Sequence, residues 1–412
     1  WWNFRPIRFP FNCNPCNTYI NYKITPFAMK NILLLGATGS IGDSVLSVIN
    51  QNSDKLNLYG IALNSNSAKA IRIANEHKPD FIYIEDVDAI SAIKDEHITK
   101  SKILNGKDDL KELLNNINVD VIISAISGFA GLETTLMAAK TGKTILLGNK
   151  ESIVVAGEII LPIAKEFQTT IIPIDSEHNA IFQCLQGSKS EDDISKIIIT
   201  ASGGPFLDKR LDQLTHVSKE QALKHPNWDM GAKISIDSAT LVNKCLELIE
   251  AKYLFNLDEN FFQLVVHPQS IVHSIVTYID GSSICQMSNP DMRVPISHAL
   301  SDQKRLPLDF SMIDFSSLTL SFQDFPEDRM NLVKIAREIC NVGGSSGTVF
   351  NAANEVAVKN FLSDQIKFDK IYDVIYRTFD AIPMSKDLDI ESIYEIDNES
   401  RMEAEKVVKS IT

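Results

Sequence analysis

Positive charge is in short supply: 40 Lys and Arg stand against 53 Asp and Glu in 412 residues, a formal net charge of -13. With no local cluster of basic side chains to offset it, a chain this acidic repels a phosphate backbone, and no nucleic-acid partner is expected. Long apolar runs are absent too; charged residues interrupt each hydrophobic stretch, so no membrane partner is expected. Cysteine is scarce, with six residues, and only Cys13 and Cys16 lie close together. A lone CxxC without a second pair is weak evidence for a metal site, and a reducing compartment is the simpler reading. No low-complexity tract or fixed-period repeat occurs, which argues against fibrous and solenoid architectures.

Residues 1–28 lack acidic side chains altogether, carry Arg5, Arg8 and Lys23 among aromatic and apolar clusters, and contain no Met before Met29. This leader is expected to lie outside the fold. Two origins fit its composition: upstream sequence translated in frame, the reading preferred here, or the remnant of a plastid-type organelle presequence. The first implies a cytoplasmic protein.

What is present is enough for more than one core. A chain of 412 residues with 44% hydrophobic content predicts two or three folded domains. From Lys30, short apolar runs (31–35, 58–63, 81–84, 121–125, 144–147, 170–174) alternate with amphipathic stretches such as 44–50. That alternation predicts an α/β fold with a parallel, doubly wound sheet over 29–174. Past Asp175 the pattern becomes α+β, with strands expected at 196–200, 263–267 and 270–278, and this predicts a second domain over 175–299. Residues 300–326 are proline-punctuated and poorly periodic, as a linker would be. Helices expected at 331–341, 348–362, 370–379 and 399–411 make 327–412 a C-terminal helical domain.

Three glycines, Gly36, Gly39 and Gly42, fall at the first strand-to-helix turn. Glycine lets backbone approach a pyrophosphate, and the helix N-terminus beyond supplies free N–H groups and partial positive charge. The spacing G-x-x-G-x-x-G also occurs in plain turns, so the motif alone supports dinucleotide binding without requiring it. The second strand ends in Asn64-Ser65-Asn66, with no carboxylate to grip a ribose diol. That absence favours the 2′-phosphate of NADPH, although an ordinary loop would look similar.

Asp175 and Glu177 stand two apart at a strand end, and Asn243 and Glu247 stand four apart on a helix-like segment. Carboxylates placed side by side repel unless a cation joins them, and hard oxygen ligands suit Mg²⁺ or Mn²⁺. Solvated surface acids would give the same spacing. In 200–206 a strand runs into Gly203-Gly204, a hinge-like turn, and 225–231 is aromatic, polar and turn-rich. A mobile lid over 202–231 reads this way, as would a surface loop with a half-buried Trp228. His267 and His273 sit among apolar neighbours and read as structural.

Taken together, several strings resemble one family. They are 36–42, Gly148-Asn149-Lys150-Glu151, Asp175-Ser176-Glu177-His178-Asn179-Ala180, 201–206, His225-Pro226-Asn227-Trp228, Asp237-Ser238-Ala239-Thr240, Asn243-Lys244 with Glu247, His267-Pro268-Gln269-Ser270, and Asn351-Ala352-Ala353-Asn354-Glu355. Their order and spacing from Lys30 onward are similar to those of the 1-deoxy-D-xylulose 5-phosphate reductoisomerases. The resemblance implies a Rossmann-like NADPH-binding domain, a central α+β catalytic domain and a C-terminal helical bundle. It implies that Asp175, Glu177 and Glu247 hold a divalent cation, Mg²⁺ or Mn²⁺ with Co²⁺ as an alternative. Ser202, Ser238, Asn243 and Lys244 would bind the substrate phosphate, with His225 closing over it from the lid and Trp228 packing over the substrate skeleton. Lys150 and Ser176 would touch the substrate backbone. Thr38, Gly39, Ser40, Ile41, Asn66, Asn149, Glu151 and Gly231 would contact NADPH. Lys150, Asp175, Glu177, Glu247 and His225 form the implied catalytic set, and a homodimer is implied as well.

The implied reaction opens the sugar phosphate between C3 and C4 in a retro-aldol step, rejoins it as a branched aldehyde and reduces that aldehyde with hydride from NADPH. Relatives often carry Lys or Arg where this chain has Ser65, so the expected preference for NADPH is narrower here. Two other functions fit the bare motifs: a simple NADP-dependent sugar-phosphate dehydrogenase or semialdehyde-type reductase, which needs no three-carboxylate site, and an inactive homologue kept as a scaffold.

Overall fold

The computed structural model describes residues 29–94, 101–186, 190–301 and 305–412. The basic leader, with Cys13 and Cys16, lies outside them. The N-terminal unit runs β1 (Lys30–Leu35), α1 (Ser40–Gln51), β2 (Leu56–Leu63), α2 (Ser67–His77), β3 (Phe81–Ile84), α3 (Val87–Lys94), β4 (Lys102–Leu104), α4 (Lys107–Asn115), β5 (Val121–Ser124), α5 (Leu132–Ala139), β6 (Thr144–Leu147), α6 (Lys150–Glu166) and β7 (Thr170–Pro173). All its strands pair in parallel, in the order β4-β3-β2-β1-β5-β6-β7. Ile32, Leu33, Leu34 and Leu35 of β1 are all fully buried because helices cover both faces of the sheet. Each such side chain contributes roughly 1.5–3 kcal/mol. The strand order reverses between β1 and β5, and there the C-terminal ends of the strands open a crevice.

Two of the three loop glycines are required by space. A Cβ on Gly36, whose φ is +83°, would come within 2.4 Å of the Ala125 carbonyl oxygen, and one on Gly42 within 2.4 Å of that of Ala37. A Cβ on Gly39 would meet only the Gly36 oxygen, at 3.5 Å. Its bareness therefore leaves room for something outside the backbone to approach.

The chain continues through α7 (Ser176–Leu185), β8 (Ile194–Ala201), the short α8 (Lys219–Leu223), α9 (Ala232–Thr240), α10 (Val242–Phe255), β9 (Phe262–Val266), β10 (Val272–Tyr278), β11 (Ser283–Met287) and α11 (Arg293–Leu300). A second sheet forms in the order β11-β10-β8-β9, antiparallel except for β8 with β9. Four helices close the chain: α12 (Met330–Val342), α13 (Ser346–Leu362), α14 (Lys370–Ala381) and α15 (Ile390–Ile411).

These helices share one apolar core with the second sheet: Ile197, Ile199 and Leu246 lie in the same cluster as Phe350, Phe368 and Tyr372. In the other direction, α11 buries Ile296, Ala299 and Leu300 against the N-terminal core beside Val45 and Val48. Both ends of the central segment are thus anchored in neighbouring units. The poorly periodic stretch after α11 is strapped to the second sheet, with Gln323 bridging Val266 and the Ser321 carbonyl accepting from His267 Nδ1 at 2.8 Å.

Two strands go beyond the sequence expectation. β4 is three residues long, too short for alternation to register, and β11 is an exposed edge strand with a weak pattern. Helix α15 begins at Ile390, well before residue 399, because Asp389 caps it with a capping box to Ser392.

Candidate active site

The cleft lies where the ends of the first sheet's strands meet α9, α10 and the segment after β8. Lys150 is the first residue of α6, directly after β6. Asp175 follows β7 as the N-cap of α7, with Ser176 and Glu177 in its first turn. Asn243, Lys244 and Glu247 come from α10. Helices α9 and α10 meet at Leu241, whose backbone is left-handed at φ 67°. That conformation costs a leucine on the order of 1–2 kcal/mol. The sharp bend turns Ser238 of α9 and Lys244 of α10 into the same cleft.

Asp175, Glu177 and Glu247 each offer an oxygen, and these atoms all lie within 4.8 Å of one another. Two lysines thread between them. Lys150 pairs with Asp175, reaches Glu247 Oε1 at 3.2 Å and donates to Asn243 Oδ1 at 2.9 Å. Lys244 Nζ donates to Glu177 Oε1 at 2.6 Å and to Glu247 Oε2 at 2.5 Å. Ser176 Oγ donates to Glu177.

Electrostatics divide the carboxylates. Burial, with Glu177 nearby adding repulsion, pushes Glu247 up to about 7 despite its two lysines. Burial also opposes ionisation of Asp175, but the Lys150 ammonium outweighs it and holds the group well below the usual carboxylate range. Lys150 itself is held well above the ordinary lysine value, its burial outweighed by Asp175 and Glu247.

A second set of potential ligand atoms, on Asp175, His178 and Glu250, shares Asp175 with the first. His178 Nε2 lies 2.9 Å from the Glu247 carbonyl oxygen and donates to it, since a carbonyl only accepts. The ring then turns Nδ1 toward Glu250 Oε2 at 3.2 Å. Burial pushes Glu250 up to about 7. His178 and Glu250 are fully buried and do not line the cleft. The all-oxygen set is the one a substrate can reach, and its hard donors suit a divalent cation whose remaining positions take water or substrate oxygens. The buried thiols of Cys184 and Cys245 take no part in either set.

Across the cleft, Ser202 and His225 meet at 2.9 Å, Oγ to Nε2. His225 Nδ1 accepts from the backbone N–H groups of Asn227 (3.1 Å) and Trp228 (3.0 Å), which leaves the proton on Nε2 for Ser202. Ser202 Oγ also accepts from Gly204 N at 3.2 Å, so its own hydrogen is available to an anion. Burial pushes His225 down to about 4, against the pull of Glu177, and the ring is neutral at pH 7. Asn227 Nδ2 ties the segment to the turn before β10, donating to the Pro268 carbonyl (2.7 Å) and to Ser270 Oγ (2.9 Å). Trp228 packs edge-on to His273, with ring centroids 6.0 Å apart.

Of the residues singled out from sequence, Lys150, Asp175, Ser176, Glu177, Ser202, His225, Trp228, Ser238, Asn243, Lys244 and Glu247 line this one cleft, and Gly39, Ser40, Ile41, Glu151 and Gly231 line it too. Three do not. Asn149 is fully buried, donating to the Gly128 carbonyl at 2.9 Å and to Glu151 Oε2 at 3.1 Å. Asn66 caps α2, and Thr38 sits in the loop outside the lining. The structure adds Lys233, which bridges Glu151 (2.7 Å) and Asp237 (2.8 Å) within the cleft wall. Its i,i+4 spacing from Asp237 was a usable signal. His273, read as structural, lines the cleft while its Nε2 meets Ser288 Oγ at 2.9 Å.

Fold and site together define a Rossmann-type enzyme whose dinucleotide crevice opens onto a three-carboxylate, two-lysine centre. Comparison with known proteins narrows this class. Residues 32–157 match the 1-deoxy-D-xylulose 5-phosphate reductoisomerase family model, 171–255 its C-terminal domain model, and 287–403 the DXP reductoisomerase C-terminal domain model. The 1-deoxy-D-xylulose 5-phosphate reductoisomerase of Acinetobacter baumannii strain ACICU is 41% identical over 394 residues, covering 93% of this chain and 99% of that relative. The Vesicomyosocius okutanii enzyme is 42% identical over 382 residues, covering 92% and 99%. A crystal structure of DOX-P reductoisomerase in complex with NADPH, fosmidomycin and magnesium superposes with a TM-score of 0.85 at 39% identity, over 92% of this chain and 98% of that one. The Zymomonas mobilis enzyme in complex with NADPH gives a TM-score of 0.85 at 39% identity, over 93% and 100%. The chain belongs to the 1-deoxy-D-xylulose 5-phosphate reductoisomerase family.

Proposed function

We propose that this chain converts 1-deoxy-D-xylulose 5-phosphate to 2-C-methyl-D-erythritol 4-phosphate, an early step toward isoprenoid precursors, with NADPH and a divalent cation. The observation that carries the reading is a single cleft lined by the glycine loop after β1, three convergent carboxylates and two buried lysines. A bound cation would supply a Lewis acid to the substrate's oxygens, and NADPH would supply the hydride. Asp175, Glu177 and Glu247 hold the cation. Lys150 and Ser176 orient the substrate's oxygens. Lys244 brings the positive charge that the phosphate needs in an acidic protein, with Ser202, Ser238, Asn243 and His225 completing its contacts. The phosphate is remote from the C3–C4 bond, so these contacts serve orientation and closure. Thr38, Gly39, Ser40 and Ile41 would cradle the nucleotide, Asn66 would stand on its ribose side at the end of β2, and Glu151 and Gly231 would complete its site, with the buried Asn149 donating to Glu151 from behind. Following NADPH oxidation by its absorbance tests the reading: turnover must need both this substrate and the cation. Oxidation that persists after chelation would point to a simple dehydrogenase instead.

The units act together in this proposal: 29–174 binds the nucleotide, 175–299 carries the chemistry, 300–326 links, and 327–412 buttresses the second sheet. Within the second unit we assign 202–231 as a lid hinged at Gly203-Gly204 and Gly231. The Asn227 and Ser202–His225 hydrogen bonds support it by tying an otherwise irregular segment to the cleft. A chain shortened to begin at Met29 keeps Trp228 as the sole tryptophan of the three. Its fluorescence is expected to change when a phosphonate substrate mimic and metal are added, as the indole packs over the ligand. A phosphonate that binds by calorimetry without a fluorescence change, and without protecting the amides of 202–231 from hydrogen exchange, would overturn the lid.

A cytoplasmic location and a homodimer belong to the same proposal. The four described cysteines are unpaired, as in a reducing compartment, and no helix among the described residues is long and apolar enough to cross a membrane. Support for the dimer comes from β11, an edge strand that exposes Ile284, and from exposed Ile279, Met312 and Phe315. The Met312 segment is held beside β11 by Asn289, which donates to the Ser311 carbonyl at 2.7 Å. An unpaired apolar edge calls for a cover, and a second copy supplies a matching one. Light scattering is expected to give twice the 45.9 kDa chain mass; a monomer at assay concentration would refute this.

A further inference from the structure

The end of β2 is where a doubly wound sheet meets the adenosine ribose, and here Asn64-Ser65-Asn66 brings no charge to it. Within the first turn of α2, however, Lys69 folds back toward the loop after β1. Its backbone N–H donates to the Asn66 cap at 3.1 Å, and its ammonium donates to the Thr38 carbonyl at 3.0 Å and pairs with Asp43 Oδ2 at 2.6 Å. The Lys69 side chain is only 15% exposed. The residue therefore spans the two places a dinucleotide's ribose and pyrophosphate approach, its backbone N–H at the Asn66 cap beyond β2 and its ammonium at the Thr38 carbonyl of the glycine loop.

We infer that Lys69 is the cation for the 2′-phosphate of NADPH and sets the preference for NADPH over NADH, in the role a basic residue at the Ser65 position would otherwise fill. Lys69 acts in two ways. It contributes a charge-assisted hydrogen bond to the phosphate, and it neutralises Asp43 in the first turn of α1, a carboxylate that would otherwise repel an added phosphate nearby. The narrow preference expected from Ser65 alone is thereby widened. This inference rests on the NADPH-binding reading of the first sheet, and the test separates the two.

Calorimetry on the full chain with 2′-phospho-ADP-ribose and with ADP-ribose needs neither metal nor substrate. The wild type is expected to prefer the phosphorylated nucleotide, and Lys69→Gln to weaken that nucleotide roughly 10- to 100-fold while leaving ADP-ribose unchanged or tighter. The ratio of kcat/KM for NADPH to that for NADH should fall by a similar factor. Adding Asp43→Asn to Lys69→Gln should recover part of the loss, and Lys69→Arg should keep the preference. An equal loss for both nucleotides would show a structural role only, and an unchanged ratio would show that Lys69 does not reach the phosphate; either overturns the inference while leaving the cofactor reading intact. A wild type that binds neither nucleotide would overturn both.

Discussion

Replacing Glu247 by Gln is expected to lower metal-dependent turnover on the order of 10³-fold while leaving NADPH binding within about twofold of wild type. The asymmetry follows from where Glu247 sits. It is fully buried, and its two oxygens face the centre shared with Asp175 and Glu177, where Lys150 and Lys244 also converge. Gln keeps the shape and one acceptor, so the helix and the lysines keep a neighbour, but it removes the charge a cation requires. The nucleotide loop after β1 is built from other elements and has no part in the change. Titrating the metal by calorimetry, measuring NADPH affinity and assaying turnover check the three parts separately. Full activity in the variant would remove Glu247 from the site.

The same residue gives the metal requirement a pH sign. With its carboxyl pushed up to about 7, Glu247 in chelator-treated protein takes up a proton well above the usual carboxylate range. Because the folded value lies above the unfolded one, the folded state holds that proton more tightly. This group's contribution to stability is present below about pH 4.5 and is lost as pH rises through 7. A cation must displace the proton, so apparent metal affinity should fall by about tenfold per pH unit below 7, earlier than an ordinary carboxylate site would show.

Legibility in the sequence followed how local each signal was. The first sheet was readable because its strands, buried on both faces, are nearly continuous apolar runs between amphipathic helices. Asp175 with Glu177 and Asn243 with Glu247 were readable as pairs because two-residue and four-residue spacings put side chains on one face. That the two pairs meet depends on the left-handed bend at Leu241, which no spacing announces. The buried His178–Glu250 pair behind Glu247 was equally hidden, since a lone His and a lone Glu on different helices predict nothing about each other. Nor could periodicity show that α11 buries its apolar face in the N-terminal core, because an amphipathic helix does not name its partner. Lys69 is hidden for a related reason: a ribose-binding charge is announced by the strand end itself, whereas this long side chain reaches back to the Thr38 carbonyl from the first turn of α2.

Lys150→Gln should separate catalysis from metal affinity by moving them in opposite directions. The Lys150 ammonium is buried and pairs with Asp175 and Glu247, two of the three carboxylates, while donating to Asn243 Oδ1 at 2.9 Å. A cation at the same carboxylates is repelled by that ammonium, so at a pH high enough to keep Glu247 ionised, removing it should tighten metal binding on the order of tenfold, while below that pH the extra proton held by Glu247 opposes the gain. Turnover should nevertheless fall by about 10²- to 10³-fold, because on the proposed function the variant loses the charged donor for the substrate's oxygens. Asp175 offers a further readout. Its carboxyl is held low chiefly because the Lys150 ammonium outweighs the cost of burial, so in the variant it should rise toward and above the usual range. A folded Asp whose value is held low contributes stability that is present above the unfolded value and lost as pH falls below it; the variant should lose that contribution, and chelator-treated protein should melt earlier near neutral pH. Added metal should restore the melting temperature without restoring turnover. A variant whose activity returns to wild type at saturating metal would show that Lys150 serves only to balance the carboxylates and does not touch the substrate.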